Sequence, residues 1–323
     1  MGGGAGWNRS GNPASTSAAM LGPFRIGTRG SPLALAQARM VATALRDAHG
    51  FGPEQIEIVP IATTGDMIRD RPLAEVGGKG LWTKELDRAL CEGRTDMSVH
   101  SMKDVETFRP VELEIAAMLP RAAVCDRLIG AQSLDALPEG AKVGTSSPRR
   151  AAQLLARRPD LQIVTFRGNV ETRLKKLGMG EVDATLLAAA GLDRLGHPEI
   201  GAQLDDFLPA PAQGAVGIEV RAEDVKVKRI VHAISHRETF ICVCAERRLL
   251  EGLGGDCRSP IAALARLEGE QVHLRAEIMT NDGSQTERLD VRFQADDAEA
   301  PLEHARGLLG RAAPAVRALF AGS

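Results

Sequence analysis

Arginines carry the loudest chemical signal in this sequence. Between Lys142 and Lys176 nine basic side chains face two acidic ones (Asp160 and Glu171), a local excess of +7 in a chain whose net charge is -2. Two of them, Arg149 and Arg150, follow Ser147-Pro148 directly. A serine N-cap with proline at the first helical position marks a helix start, so both cations fall near the positive end of the helix dipole, where cations are disfavoured. The conflict disappears if an anion sits at that terminus, held by free backbone N–H groups and guanidinium forks. Arg29 stands beside the matching start Ser31-Pro32 and is expected to face the same cleft from the other side. With Arg167 and Arg173 these form a candidate anion site, whereas Arg157, Arg158, Lys175 and Lys176 read as solvated surface charges. Arginine suits planar carboxylates or phosphates. Neither GxxxxGK[ST] nor GxGxxG occurs, so a nucleotide is not the obvious anion.

The second constellation is Val99-His100-Ser101-Met102-Lys103-Asp104-Val105, directly after an expected strand over 96–99. A carboxylate at the carboxyl end of a strand points into the same cleft, and among many arginines Asp104 is expected to stay ionised. It can stabilise a cationic intermediate or exchange protons with a ring N–H. The competing role is a salt bridge that orients an arginine. Cys257 lies in the Gly-rich turn Leu253-Gly254-Gly255-Asp256-Cys257-Arg258-Ser259-Pro260, where it is accessible and Arg258 favours its thiolate, a candidate for covalent attachment. Cys91, Cys242 and Cys244 fall on helices and read as small core residues. Cys242 and Cys244, two apart on a helix, point to different sides, and no fourth ligand is evident, so no metal is expected. His232 and His236 lack a partner pattern and read as structural. The polar stretch from Gly65 to Gly80, with Lys79 and several glycines, reads as a lid with Trp82 at its base.

The elements that must hold these groups are legible in outline. A length of 323 residues suits two or three domains. Hydrophobic residues at 44% and charged residues at 25% are ordinary for a folded soluble chain. Aromatics are 3%, with no tyrosine, so the core must come from Leu, Ile, Val and Ala, and the stacking rings of a single-strand nucleic-acid binder are missing. The charge balance also excludes a surface that is one continuous polyanion-binding field. No apolar run reaches the roughly 18 residues of a membrane helix. Five cysteines form no disulfide framework, which points to a reducing cytoplasm. Residues 1–23, rich in Gly, Ser, Ala and Asn, read as a disordered tail in which Met20 is an alternative start.

A faint duplication governs the architecture. Arg25-Ile26-Gly27-Thr28, Ser31-Pro32 and Ala36-Gln37 are echoed by Lys142-Val143-Gly144-Thr145, Ser147-Pro148 and Ala152-Gln153. Ile56–Val59 is matched by Leu161–Val164, and Gly93 with Asp96–Val99 by Gly180 with Asp183–Leu186. Strands alternating with helices argue for α/β units on mostly parallel sheets. The expectation is two similar periplasmic-binding-protein-like lobes with a third, smaller α+β domain. The first lobe takes residues 24–118 plus 215–237, the second 119–214, and the third 238–323, with a ligand held between the lobes at strand carboxyl ends. In the third domain strands are expected near 261–267, 272–279 and 287–293, a hairpin turn at Asn281-Asp282-Gly283, and one closing helix over about 298–319.

Taken together, these motifs resemble the porphobilinogen deaminase (hydroxymethylbilane synthase) family. The resemblance runs from about Arg25 to the C-terminus. Its carriers are Thr28–Ala34, Gly77-Gly78-Lys79-Gly80-Leu81, His100–Val105, Gly144–Ser147 with Arg149-Arg150, Arg167-Gly168-Asn169-Val170 with Arg173, Ala190-Gly191-Leu192 with Arg194, and Gln213-Gly214-Ala215. It implies a monomeric cytoplasmic transferase that condenses four porphobilinogen molecules into hydroxymethylbilane, on a dipyrromethane cofactor held by a thioether at Cys257. The substrate's acetate and propionate arms would explain the arginines. By the same resemblance Asp104 handles the pyrrole nitrogen and stabilises the cation left when ammonia departs. Arg29, Lys103, Arg149, Arg150, Arg167, Arg173 and Arg194 bind carboxylates, Ser31, Ser101, Thr145 and Ser147 support them, and Lys79 and Trp82 belong to the lid. The chain departs from the family pattern at Glu106 (usually Pro), Trp82 (usually Phe) and Asp256 (usually Gly). The rivals are a non-catalytic two-lobed small-anion binder and a nucleic-acid binder.

Overall fold

The computed structural model describes residues 22–63, 82–256 and 259–320. The chain opens with strands β1 (Phe24–Arg29), β2 (Ile56–Ile61), β3 (Met97–Ser101) and β4 (Leu113–Met118). It crosses to a second sheet built from β5 (Asp126–Ile129), β6 (Lys142–Gly144), β7 (Gln162–Val164), β8 (Ala184–Ala188) and β9 (Ala202–Leu204). Strand β10 (Val216–Arg221) then returns to the first. The sheet orders are β2-β1-β3-β10-β4 and β7-β6-β8-β5-β9. In each, three parallel strands come first and a strand arriving over a crossover pairs antiparallel with the third.

The duplication extends to single hydrogen bonds. Arg25 N–H donates to Asp96 Oδ2 (2.8 Å) and Lys142 N–H to Asp183 Oδ2 (2.7 Å), while Asp96 and Asp183 N–H return bonds to the Arg25 and Lys142 carbonyls (2.9 Å each). Gly93 and Gly180, which turn the chain into these strands, both have positive φ (68° and 74°), a conformation that glycine adopts without penalty. Helix α1 (Pro32–His49) starts at Ser31, whose hydroxyl accepts from Ala34 N–H (3.3 Å); it buries Ala38, Val41, Ala42 and Leu45, one face of a 3.6-residue repeat, against the first sheet. Its counterpart α3 (Pro148–Arg157), preceded in the chain by α2 (Lys84–Cys91), starts at Ser147, whose hydroxyl accepts from Arg150 N–H (3.4 Å). The second lobe continues with α4 (Val170–Gly178) and α5 (Ala189–Arg194), and α6 (Val225–His232) follows β10.

The third unit begins with α7 (Arg237–Gly252), capped by the imidazole of His236, and forms an antiparallel meander of β11 (Ile261–Glu268), β12 (Gln271–Met279) and β13 (Thr286–Gln294). The single closing helix expected over 298–319 is two helices, α8 (Ala300–Arg311) and α9 (Pro314–Arg317). Ala312 and Ala313 between them are extended (ψ 146° and 151°), because Pro314 forces its predecessor out of the helical region. The buried carboxylate of Glu246 on α7 ties the third unit to both crossover segments between the sheets, accepting from the Arg121 guanidinium (2.7 and 2.9 Å), Ala212 N–H (2.6 Å) and, within its own unit, Ala265 N–H (2.7 Å). No described helix is long and apolar enough to cross a membrane.

Candidate active site

Strand β3 ends at Ser101 and the chain tightens into one 3₁₀ turn, Met102–Asp104. Met102 anchors that turn. A Cβ on Gly217 of β10 would lie 2.1 Å from its sulfur, so only glycine lets the side chain in. With Met102 driven down, Asp104 is left at the cleft edge, in a pocket lined by Arg29, Ser31, Gln37, Trp82 and Ser101. Gln37 Nε2 donates to Ser101 Oγ (2.8 Å), and the Trp82 ring lies 3.8 Å from the Arg29 guanidinium carbon.

The second lobe supplies the cations. At the start of α3 there is indeed an anion, but it is a side chain of the protein. Asp126, the first residue of β5, accepts from Arg149 Nη2 and Arg150 Nη2 (2.7 Å each) and from Gln213 Nε2 (3.0 Å). Burial alone would raise the Asp126 carboxyl; the charges and hydrogen bonds of the two arginines outweigh it and hold the group far below the usual carboxylate range. Arg149 is 3% exposed, and its Nη1 donates to Gln153 Oε1 (2.8 Å) and the Leu208 carbonyl (2.9 Å), so both Nη groups are engaged inside the protein and only Nε lacks a partner. Arg150 also donates to the Leu186 carbonyl (2.9 Å).

Near this pair, Arg167 and Arg173 have no carboxylate bonded to them among the described residues. Burial lowers Arg173 to about 10, with Arg150 and Arg167 adding to the effect and Asp104 opposing it. Half-buried Lys103 is pulled down to about 8 by loss of solvation; Asp104 and Asp126 oppose the shift, while Arg150 and Arg149 reinforce it. Asp104 of the first lobe therefore lies in one electrostatic neighbourhood with Arg150 and Arg173 of the second. Arg194 donates to the Gly214 carbonyl (2.7 Å) on the returning crossover. Thr145 Oγ1 accepts from Ser147 N–H (3.1 Å), and both side chains organise the turn into α3.

Lys79 and the whole expected lid, as well as Cys257, lie outside the described residues. Gly255, two residues before Cys257, is tied to the segment that follows Asp104. Thr107 Oγ1 donates to the Gly255 carbonyl (3.1 Å), and the Arg247 guanidinium donates to the carbonyls of Val105, Glu106 and Thr107 (3.1, 2.7 and 3.2 Å). Of the cysteines expected in the core, Cys242 is buried, with its thiol pushed up to about 11 chiefly by burial, and Cys244 is half-buried. Cys91 is exposed, because the last turn of α2 presents it away from buried Leu86, Ala89 and Leu90. No group of three or more His, Cys, Asp or Glu that could hold a metal ion occurs among the described residues. The sequence signals did not reveal Asp126 or Arg109, and marked Gln213 as part of a motif without giving it a role; a charged residue opening an apolar strand, as Asp126 does before Leu128-Ile129, is the one local hint.

Fold and site define a two-lobed α/β protein whose facing edges bring one carboxylate and a set of buried guanidinium groups into a shared cleft. The chain belongs to the porphobilinogen deaminase family: residues 24–229 match the model described as "Porphobilinogen deaminase, dipyromethane cofactor binding domain", and residues 240–306 match its C-terminal domain. A porphobilinogen deaminase of Sphingopyxis alaskensis is 54% identical over 307 residues, covering 93% of this chain and 97% of the relative. One of Paracoccus denitrificans is 50% identical over 296 residues, covering 90% and 95%. Among solved structures, an ancestral cationic amino acid solute binding protein aligns with a TM-score of 0.42 at 16% identity, covering 65% of this chain and 86% of its own.

The residues present fit a dipyrromethane with carboxylate arms. Arg150, Arg167 and Arg194 each bury an Nε without a hydrogen-bond partner, as does Arg149. An unpartnered buried donor is costly, and clustered cations raise that cost until an acidic ligand neutralises them.

Proposed function

We propose that this protein is a hydroxymethylbilane synthase in which Asp104 is the catalytic carboxylate and Cys257 the point of cofactor attachment. The activity is a transfer reaction: four porphobilinogen molecules are deaminated and joined head to tail into the linear tetrapyrrole hydroxymethylbilane. The observation that carries the assignment of roles is the shared field of Asp104 with Arg150, Arg167 and Arg173 across the two lobes. Arg29, Lys103, Arg150, Arg167 and Arg173 bind the acetate and propionate arms of porphobilinogen and orient its ring. Arg149 and Arg194 steady the helix start and the crossover, with Ser31, Ser101, Thr145 and Ser147 holding the turns between them.

Asp104 accepts the pyrrole N–H as the C–N bond breaks and the electron pair leaves with ammonia. The ring left behind is cationic, and a fixed carboxylate in a cleft partly shielded from water stabilises that charge where it develops. The dipyrromethane, when bound, supplies the nucleophilic pyrrole carbon that starts the chain. Thr107 ties Gly255 to the segment after Asp104, and Arg247 of α7 binds the carbonyls of that same segment. We assign the protein to the cytoplasm as a monomer, acting on a small molecule and not on nucleic acid or a membrane. The division into 24–118 with 215–237, 119–214 and 238–323 is proposed as its domain structure.

The test is incubation with porphobilinogen, together with an intact mass. Ammonia release, a product that cyclises with loss of water and gives uroporphyrin on subsequent oxidation by air, and an excess mass of two linked pyrroles that Cys257→Ser abolishes are the expected results. Asp104→Ala should lower turnover by about 10³-fold or more without moving the melting temperature. Binding without ammonia release would instead identify a non-catalytic anion binder.

A further inference from the structure

Strand β10 puts its two faces to different uses. Val216, Ile218 and Val220 pack into the apolar core of the first lobe. Gly217 and Glu219 share the opposite face with His100 and Ser98 of β3, their cross-strand partners. The gap at Gly217 admits Met102. Glu219 is fully buried, and a charge at such a position of a central strand is costly unless it is paired. Its carboxylate binds both sides of the turn that carries Asp104. Before the turn, His100 Nε2 lies 3.1 Å from Glu219 Oε2, and because an ionised carboxylate only accepts, that nitrogen carries the proton. After the turn, Arg109 donates from Nε to Oε1 (2.8 Å) and from Nη2 to Oε2 (2.9 Å). Arg109 Nη1 then reaches back to Glu106 Oε2 (2.8 Å), two residues past Asp104, and Nη2 also donates to Asp87 on α2. Burial alone would raise the Glu219 carboxyl; His100 and Arg109 outweigh it and hold the group at about 2.

We propose that Glu219 is a positioning residue for Asp104: by gripping His100 before the 3₁₀ turn and, through Arg109, Glu106 after it, one buried carboxylate fixes the turn that sets Asp104 at the cleft edge. This rests on the reading of Asp104 as the catalytic carboxylate. Stabilisation of a developing cation depends on where the carboxylate sits, so a loosened turn should act on the bond-breaking step. Arg150, Arg167 and Arg173, assigned to the substrate's acidic arms, belong to the other lobe, and affinity should change little. Arg247 of α7 holds the carbonyls of Val105, Glu106 and Thr107 independently, which supports the fold of this segment when Glu219 is changed.

The test is Glu219→Gln in the full-length holoenzyme, which keeps the shape and removes the charge. It should lower kcat roughly tenfold or more, within the about 10²-fold that a 1 Å misplacement can cost. KM for porphobilinogen should move far less, because Lys103 alone of the assigned ligands shares the turn. Hydrogen exchange read by mass spectrometry should run several-fold faster over residues 100–107, with β1 and α1 at wild-type rates. An unchanged kcat, or wild-type exchange over 100–107, overturns the proposal. So does faster exchange through the whole first sheet with kcat unaltered, which would leave Glu219 a residue of the fold alone. Arg109→Lys, which keeps the charge and gives up the fork, carries the same test if the glutamine variant does not fold. Asp104→Ala separates the two layers: if it retains turnover, the catalytic role of Asp104 falls, whereas the exchange rates still decide whether Glu219 holds the turn.

Discussion

In the first lobe the turn at Ser31-Pro32 leads into Leu33 and Ala34, whereas the matching turn of the second lobe, Ser147-Pro148, leads into Arg149 and Arg150. The turns share their cap, their proline and the parallel strand before them, and a reciprocal aspartate–backbone bond at the other end of that strand. What differs is where each lobe puts the partner of its cations. The first stacks Arg29 under an aromatic ring and keeps Asp104 at the cleft edge; the second buries Asp126 beneath two arginines and leaves Arg167 and Arg173 with no carboxylate bonded to them among the described residues. A duplicated scaffold keeps what satisfies its own backbone, and is free to differ at strand and helix ends. Those ends are where a carboxylate from one side and guanidinium groups from the other can meet.

Removing the second lobe's internal anion should have the largest effect on stability. Asp126→Ala leaves two buried guanidinium groups without a counterion, and denaturant melts should show a loss of about 3–5 kcal/mol. A loss below about 1 kcal/mol would mean that the pair is satisfied in some other way, and that the lobes differ less than the geometry states. Lys103 tests the space between the lobes. Its folded pKa, about 8, lies below the 10.5 of a free lysine, so between these values the unfolded chain binds more protons and stability should rise with pH. Its charge is lost over the same window, so KM for porphobilinogen should climb as pH passes about 8. Lys103→Arg should flatten that climb, and an unaltered profile would remove Lys103 from the binding set. The smallest effect belongs to the shared feature: Ser31→Ala and Ser147→Ala should each cost about 1 kcal/mol in thermal unfolding. A clearly larger loss at Ser147 would show that its cap also supports the Arg149–Arg150–Asp126 cluster.

The repeated turns, the parallel strands and the hairpin at Asn281-Asp282-Gly283 were legible because each is encoded by neighbours in the chain. Caps, proline φ restriction and hydrophobic periodicity all act within a few residues. The sequence predicts one closing helix because its apolar spacing continues through Ala312 and Ala313, and the local restriction from Pro314 outweighs that spacing. A helical position alone does not say which face meets the sheet, and Cys91, expected in the core, is exposed.

The arginines and Asp104 announced a cationic cleft with a carboxylate in it, since charge type and strand-end placement are properties of the chain itself. That Arg149 would turn inward to Asp126, 23 residues earlier, that Glu106 would reach Thr83, and that Arg109 would gather three carboxylates were settled only by folding. Ion pairing depends on distance and on the solvation lost with burial, and neither quantity exists until the sheets bring distant segments together.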